Sequence, residues 1–265
     1  MKHTGTMINI YYFSATGNSF WSAKKIAQLI KESSPFPDCE LFNIGVLAQK
    51  KEIEIKADAV IFIFPSFAYG MPRVVRNFIR KADIKTSYCA SFVTYGSSPR
   101  GTMGSLLKIL KKKEIGKMYF GSIPAVENYL AIFGTPDEET IKRRCQMQEK
   151  ETEEAARCII ERKENKVSEF YPLSFFIYCL FSLGIKIFYK FFRVSGECTG
   201  CAVCEKLCPV SAIKMKDGRP FFSSKCEHCQ SCINNCPLRA IKFARVRFGT
   251  PGYRHPQIGI SELMK

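Results

Sequence analysis

Acidic residues and histidines are scarce in this chain. Its 265 residues hold 24 Asp and Glu against 40 Lys and Arg, a formal net charge of +16. A surface of that sign disfavours basic partners and suits acidic ones, whether a protein, a nucleic acid or an anionic membrane surface. No recognisable nucleic-acid-binding motif accompanies the charge, so no nucleic-acid partner is expected. The basic residues are spread along the whole chain, which also fits a dispersed solvating charge. The three histidines are His3, His228 and His255, and none lies in the strand-end loops described below, so no general acid is offered there. The turn after the first apolar run is neither G-x-G-x-x-G nor G-x-x-x-x-G-K-[ST], which argues against a dinucleotide or P-loop triphosphate site. The start carries one lysine, polar Thr4 and Thr6, and no small-residue cleavage site after an apolar run, so no signal peptide is expected.

Cysteine, by contrast, is abundant. Of the 13 cysteines, eight fall in two runs, ECTGCAVCEKLCP at 197–209 and KCEHCQSCINNCP at 225–237. Each spells Cys-x2-Cys-x2-Cys-x3-Cys-Pro, and the overlay also carries Ala212-Ile213-Lys214 onto Ala240-Ile241-Lys242. Three thiolates at this spacing wrap one face of a cubane, and the fourth, followed by proline, is directed to the other cluster, so the chemistry is two [4Fe-4S] centres. Paired structural zinc ribbons or a disulfide scaffold are the alternatives, although zinc knuckles usually contribute two ligands each. Cys39, Cys89, Cys145, Cys158 and Cys179 are scattered without ligand spacing and read as buried or idle thiols. Oxygen-sensitive clusters and unpaired thiols point to a reducing cytoplasm.

Over the last quarter of the chain these residues resemble a bacterial-type two-cluster ferredoxin. By that resemblance one cluster takes Cys198, Cys201, Cys204 and Cys236, and the other Cys226, Cys229, Cys232 and Cys208. Ferredoxins and flavodoxins are commonly acidic, so a basic relative is expected to dock an acidic redox protein of either type by electrostatic steering. Between Ser195 and Phe248 there are nine Lys and Arg against four Asp and Glu, which favours the reduced, more negative cluster.

Upstream, with 46% of the residues apolar, there is enough material for a second core. Apolar runs at Met7–Phe13, Glu40–Ile44, Asp58–Phe64, Tyr88–Tyr95 and Lys117–Ile123 read as buried strands. Helical spacing lies between several of them, at Asn18–Glu32, Pro72–Lys81 and Thr102–Lys113, with a weak turn at 46–52. This alternation implies right-handed crossovers and a parallel sheet covered on both faces.

Three loops follow the strands. Ser14-Ala15-Thr16-Gly17-Asn18-Ser19 opens the first helix, where backbone amides, hydroxyls and the helix dipole can hold a phosphate; such a turn can also be a plain N-cap. Pro65-Ser66-Phe67-Ala68-Tyr69-Gly70-Met71-Pro72 and Thr94-Tyr95-Gly96-Ser97-Ser98-Pro99 follow the third and fourth strands, so all three can converge on one ligand at the topological switch point. Together they resemble the flavodoxins over about the first 125 residues, and the implied ligand is FMN. By that resemblance Ser14, Thr16, Gly17, Asn18 and Ser19 cradle the phosphate and Phe67, Tyr69 and Tyr95 flank the isoalloxazine ring. Ser66 and Ser97 join the site, and Gly70 and Gly96 let backbone amides approach the ring edge. The tryptophan usual in flavodoxins has no counterpart, since the sole Trp21 lies in the first helix.

Asn128-Tyr129-Leu130-Ala131-Ile132-Phe133-Gly134 has no assigned role. Thr135 reads as the N-cap of a long helix to about Asn165 whose first half is solvated. The greasiest stretch, Phe170–Phe192, is interrupted by Lys186 and Lys190; Ser174, Tyr178, Ser182, Lys186 and Lys190 recur every four residues, leaving Phe175, Phe176, Leu180, Phe181, Leu183 and Phe188 elsewhere around the axis. It reads as an amphipathic helix, packed between domains as a connector or lying at a membrane surface.

The whole chain is similar to flavodoxin/ferredoxin fusion proteins of anaerobic bacteria. The implied architecture is α/β: a flavodoxin-like, doubly wound five-stranded parallel sheet (1–165), an amphipathic connector helix (166–194) and a small two-[4Fe-4S] ferredoxin-like domain (195–265). The implied function is electron relay between the clusters, FMN and redox partner proteins. The other class is an FMN-dependent reductase of a quinone or nitro compound fed by its own clusters. The expected location is cytoplasmic, with peripheral membrane contact through 170–192 at the inner face as the variant.

Overall fold

The computed structural model describes residues 7–33, 38–99, 101–168 and 171–264. His3, Thr4, Thr6 and Phe170 of the readings above lie outside them.

The apolar runs form the strands because they are buried on both sides. In β4 (Ala59–Pro65) six successive residues, Ala59 to Phe64, are buried, as a strand sandwiched between helix layers must be. Val60, Phe62 and Phe64 pack on one face with Val75, Phe78 and Leu106; Ala59, Ile61 and Ile63 pack on the other with Ile26, Ile30 and Ile159. In chain order the unit runs β1 (Met7–Tyr12), α1 (Asn18–Ser33), β2 (Asp38–Asn43), α2 (Ile44–Leu47), β3 (Glu54–Lys56), β4, α3 (Arg73–Lys81), β5 (Asp83–Tyr95), α4 (Thr102–Leu110), β6 (Glu114–Pro124), α5 (Leu130–Phe133) and α6 (Glu138–Ile160).

All strand pairs in this sheet are parallel, in the order β2-β1-β4-β5-β6, with β3 also on β5. Lys56 pairs with Lys85 and Ala59 with Tyr88, the same offset, so β3 continues the line of β4 across a break at Ala57-Asp58. The expected five strand positions are therefore present, the third in two pieces. Their order 2-1-3-4-5 is that of the flavodoxin-like doubly wound fold.

Element bounds shift where side chains decide them. α6 is capped by Asp137, whose carboxylate accepts the Thr140 N–H at 2.7 Å, rather than by Thr135. It ends at Ile160, after which Asn165 turns back to bond the Phe120 backbone twice. β5 and β6 extend beyond their apolar runs, into residues that pair at the sheet's lower end.

The remainder comprises α7 (Pro172–Phe188), a single 3-10 turn (Tyr189–Phe191), β7 (Phe192–Val194), α8 (Val203–Lys206), β8 (Ile213–Lys216), β9 (Arg219–Phe222), α9 (Ser231–Asn234), β10 (Ile241–Phe243) and α10 (Ile260–Leu263). β7 pairs with β10 and β8 with β9, both antiparallel. The sequence repeat is a backbone repeat as well. Left-handed residues occur in matched pairs, Gly200 and His228 (φ 72° and 57°), Ala202 and Gln230 (58° and 56°), Ser211 and Arg239 (51° and 50°).

This region is fastened directly to the sheet unit. Ser231 Oγ donates to the Ala15 carbonyl (2.8 Å), the Leu130 N–H to Gln230 Oε1 (2.9 Å) and the Arg73 N–H to Glu227 Oε2 (2.8 Å). The chain end adds Tyr253 Oη to Asn18 Oδ1 (2.7 Å), the His255 N–H to the Thr16 carbonyl (2.8 Å) and a Trp21–His255 ring stack at 4.9 Å. These bonds hold the two regions together directly, while α7, expected as a connector or at a membrane surface, lies on the outside with most of its apolar side chains exposed.

Candidate functional site

A cavity of about 260 Å3 opens at the carboxyl ends of β1, β4, β5 and β6. This is the switch point of the sheet, where crossovers to left and right leave a crevice. Ten of the residues singled out by sequence line it: Ser14, Thr16, Asn18 and Ser19 after β1, Ser66, Phe67 and Tyr69 after β4, and Tyr95, Gly96 and Ser97 after β5.

Gly17, at φ 100°, permits the turn into α1; its N–H donates to Ser14 Oγ (3.2 Å) and its carbonyl accepts the Trp21 N–H (2.8 Å). The first-turn amides of α1 have no carbonyl partner within the helix, which makes this end an anion cradle. Ser19 Oγ bonds Thr94 Oγ1 at 2.7 Å, tying the first loop to β5. The Asn18 side chain is committed elsewhere: its Nδ2 donates to the Val126 carbonyl (3.0 Å) and its Oδ1 accepts from Tyr253. What Asn18 can offer a phosphate is its backbone amide, not the side chain.

In the second loop Phe67 and Gly70 exchange backbone bonds of 2.8 and 2.9 Å around Ala68 (φ 47°) and Tyr69 (φ 65°). Both central residues are left-handed, a turn that normally takes Asn-Gly, and each costs about 1–3 kcal/mol. That strain sets Tyr69 in the cavity wall. Gly17 and Gly70 are not lining residues. A Cβ at Gly70 would run into the Tyr178 ring, so that glycine admits a tyrosine of α7, not a flavin edge. Gly96 does line the cavity, and its missing Cβ leaves room for the Glu127 side chain.

Sequence reasoning missed one wall. Glu127, Asn128, Tyr129, Ile132 and Phe133, in the stretch after β6, all line the cavity. Glu127 Oε1 accepts the N–H groups of Asn128 (3.0 Å) and Tyr129 (3.3 Å), and Asn128 Nδ2 donates to Thr16 Oγ1 (2.5 Å). The strand-end rule applied to the fifth strand would have found them. His228 and Cys229 complete the wall from the far region, through docking that no local pattern signals. The His228 ring is buried among Phe188, Phe192 and Phe243, and its Nδ1 meets Tyr129 Oη at 2.9 Å. Burial lowers its pKa to about 4, so the ring is neutral at pH 7, and burial raises the Tyr129 phenol to about 12.

None of the thirteen cysteines forms a disulfide. Burial pushes the Cys204 thiol up to about 12, with Cys236, Cys201 and Cys198 adding to the shift; these are the members of the first expected set. Cys232 is likewise raised by burial, then by Cys226, Cys229 and Cys208, the second set, with Cys204 of the first set last. The fourth cysteine of each run is therefore near the opposite trio. Matching amides donate to these crossed sulfurs, Ala212 to Cys208 (3.1 Å) and Ala240 to Cys236 (3.3 Å). Among the described residues no three His, Cys, Asp or Glu converge on one ion position. A cubane does not require that, since each thiolate binds a different corner. Four thiols in each of two sets, with N–H groups aimed at Cys208 and Cys236, are the donors such a cluster would need.

The fold and cavity define a parallel α/β protein of flavodoxin type with an anion cradle at its switch point. Comparison with known proteins adds three similar solved structures. Azoreductase from Bacillus anthracis str. Sterne shares 12% identity over 57% of this chain and 98% of its own, at TM-score 0.40. NAD(P)H:quinone oxidoreductase from Methanothermobacter marburgensis shares 9% over 61% of this chain and 100% of its own, at 0.40. A short-chain flavodoxin associated with a non-canonical PDU bacterial microcompartment shares 14% over 59% of this chain and 97% of its own, at 0.41. No protein-family model matches the chain, and neither does any curated protein.

Proposed function

We propose that this chain is an iron-sulfur flavoprotein that relays electrons through two [4Fe-4S] clusters and an FMN to redox partner proteins. The observation that carries it is the composition of one cavity wall: Cys229 of the second cysteine run stands in the same cavity as the phosphate-type loop at 14–19. The α1 amides and the hydroxyls of Ser14, Thr16 and Ser66 would hold the phosphate, and Phe67, Tyr69 and Tyr95 would border the ring. Bound there, FMN stores one or two electrons, which joins one-electron to two-electron partners. Cys226, Cys229, Cys232 and Cys208 would hold the cluster beside the cavity, and Cys198, Cys201, Cys204 and Cys236 the outer one. Cys201 is the exposed thiol of the eight, so an acidic carrier of ferredoxin or flavodoxin type would exchange electrons at the outer cluster. Such chemistry with free thiols suits the cytoplasm.

A second reading, reduction of a quinone or nitro compound at the cavity, is favoured by one observation. A tyrosine hydroxyl bonded to a buried histidine borders the cavity, so a hydrogen-bond donor is at hand that the sequence alone did not offer. Anaerobic purification with iron, sulfide and flavin analysis tests the shared core: about eight iron and about one FMN per chain are expected. Zinc without flavin removes both readings. Turnover of a quinone or nitroaromatic at enzyme-like rates selects the reductase; its absence, with fast exchange to an acidic carrier protein, selects the relay.

A further inference from the structure

α7 is amphipathic with its faces reversed. Tyr178 and Ile185 are buried against the protein, and Tyr178 Oη donates to the Met71 carbonyl at 2.8 Å while accepting from Arg76 at 3.3 Å. Ser174 sits against Gly101 on the same side. The outward stripe is Leu173, Phe176, Leu180, Leu183 and Ile187, spaced by three and four residues and each more than half exposed. Pro172–Phe191 is long and apolar enough to cross a membrane, with mean hydropathy 1.6, and Tyr178 and Ile185 are its buried residues. Crossing would strip Tyr178 of its bonds to Met71 and Arg76, which hold the helix against the protein. Ile132 and Phe133 of α5 extend the apolar surface beside it: both are exposed, and both border the cavity that Ile177 and Phe181 of α7 also line.

The charge around the stripe selects what covers it. Lys186 and Lys190 are exposed at its end, Arg193 follows, and the chain carries +16 overall. A second copy would bring like charges together, whereas an apolar stripe with a basic end suits anionic lipid. We propose that α7 is an in-plane anchor that beds its outward stripe, with Ile132 and Phe133, into the surface of an anionic bilayer. The apolar rim of the cavity then faces the lipid. This holds whether the site is a relay or a reductase, and its test requires no turnover.

The test is flotation of the full chain, as purified with its cofactors, on phosphatidylcholine vesicles with and without phosphatidylglycerol. Binding to the anionic vesicles is expected, weakened about tenfold or more on neutral vesicles or in high salt. F176E/L183E, on the outward face, should abolish binding with the circular dichroism and visible spectrum unchanged. K186E/K190E should lower it on anionic vesicles alone. Equal binding to both vesicle types, or binding that survives F176E/L183E, overturns the proposal. So does a dimer in sedimentation equilibrium that F176E/L183E dissociates while wild type ignores lipid, since a second copy then covers the stripe. Because the readout is partition to lipid, loss of FMN or clusters from the cavity is seen separately in the spectrum.

Discussion

The two ends of the molecule are ordered by different means. The sheet unit has strands of up to 13 residues, two apolar layers and fully buried Phe62, Phe64 and Phe78. The cysteine region has elements of three or four residues and a small core in which Phe192, Phe222 and Phe243 surround the cysteines. Apolar burial suffices to explain the first. The second has too little regular structure to stand by burial alone, and its left-handed loops add strain, so its docking bonds to the sheet unit and whatever its cysteines hold must offset both.

The comparison is broken most directly at a buried cysteine. Cys232→Ser should remove one of the two proposed clusters and open the region beyond residue 192 to limited proteolysis, while the fragment containing the sheet stays resistant. If the whole chain digests together, the two regions are not independently ordered. The converse variant, Phe78→Ala, should cost about 3–5 kcal/mol in thermal or denaturant unfolding of the sheet unit. Its iron content per folded chain should not change.

A pH effect sharpens the role of the chain end. Burial lowers the His255 pKa from 6.5 to about 4. The unfolded imidazole takes up a proton below pH 6.5 and the folded one does not, so stability is full above pH 6.5 and declines as pH falls to about 4. The loss should reach about 3 kcal/mol at the lower end. His255→Phe, which keeps a ring against Trp21, should flatten that decline; an unchanged pH profile would remove His255 as its source. The smallest effect expected is that of Tyr253→Phe. Losing its 2.7 Å bond leaves Asn18 Oδ1 buried without this donor, at about 1–3 kcal/mol, with weaker FMN retention because Asn18 begins α1.

Much of the sheet was legible because burial on both faces writes an unbroken apolar run, as in Ala59–Phe64. β3 was not, since three residues beside a break carry no period. The cavity loops could be read from strand ends and small residues, and ten of the twelve chosen positions line it. Gly70 and the Asn18 side chain could not, because their partners, Tyr178 and Tyr253, arrive from more than a hundred residues away. The same holds for His228. In α7 the polar recurrence through Ser174 and Tyr178 was visible, but periodicity does not tell which side turns inward. The Tyr178 hydroxyl, satisfied by the Met71 carbonyl, decided it.

The central claim is that the cavity and the second cysteine set face each other, so that electrons pass within one chain. Stopped-flow reduction of the FMN-loaded, cluster-loaded protein under anaerobic conditions tests it, with cluster and flavin absorbance followed together at several protein concentrations. The expected result is flavin reduction that follows cluster reduction at a rate independent of protein concentration. A rate proportional to protein concentration, or clusters that stay reduced beside an oxidised flavin, would contradict it.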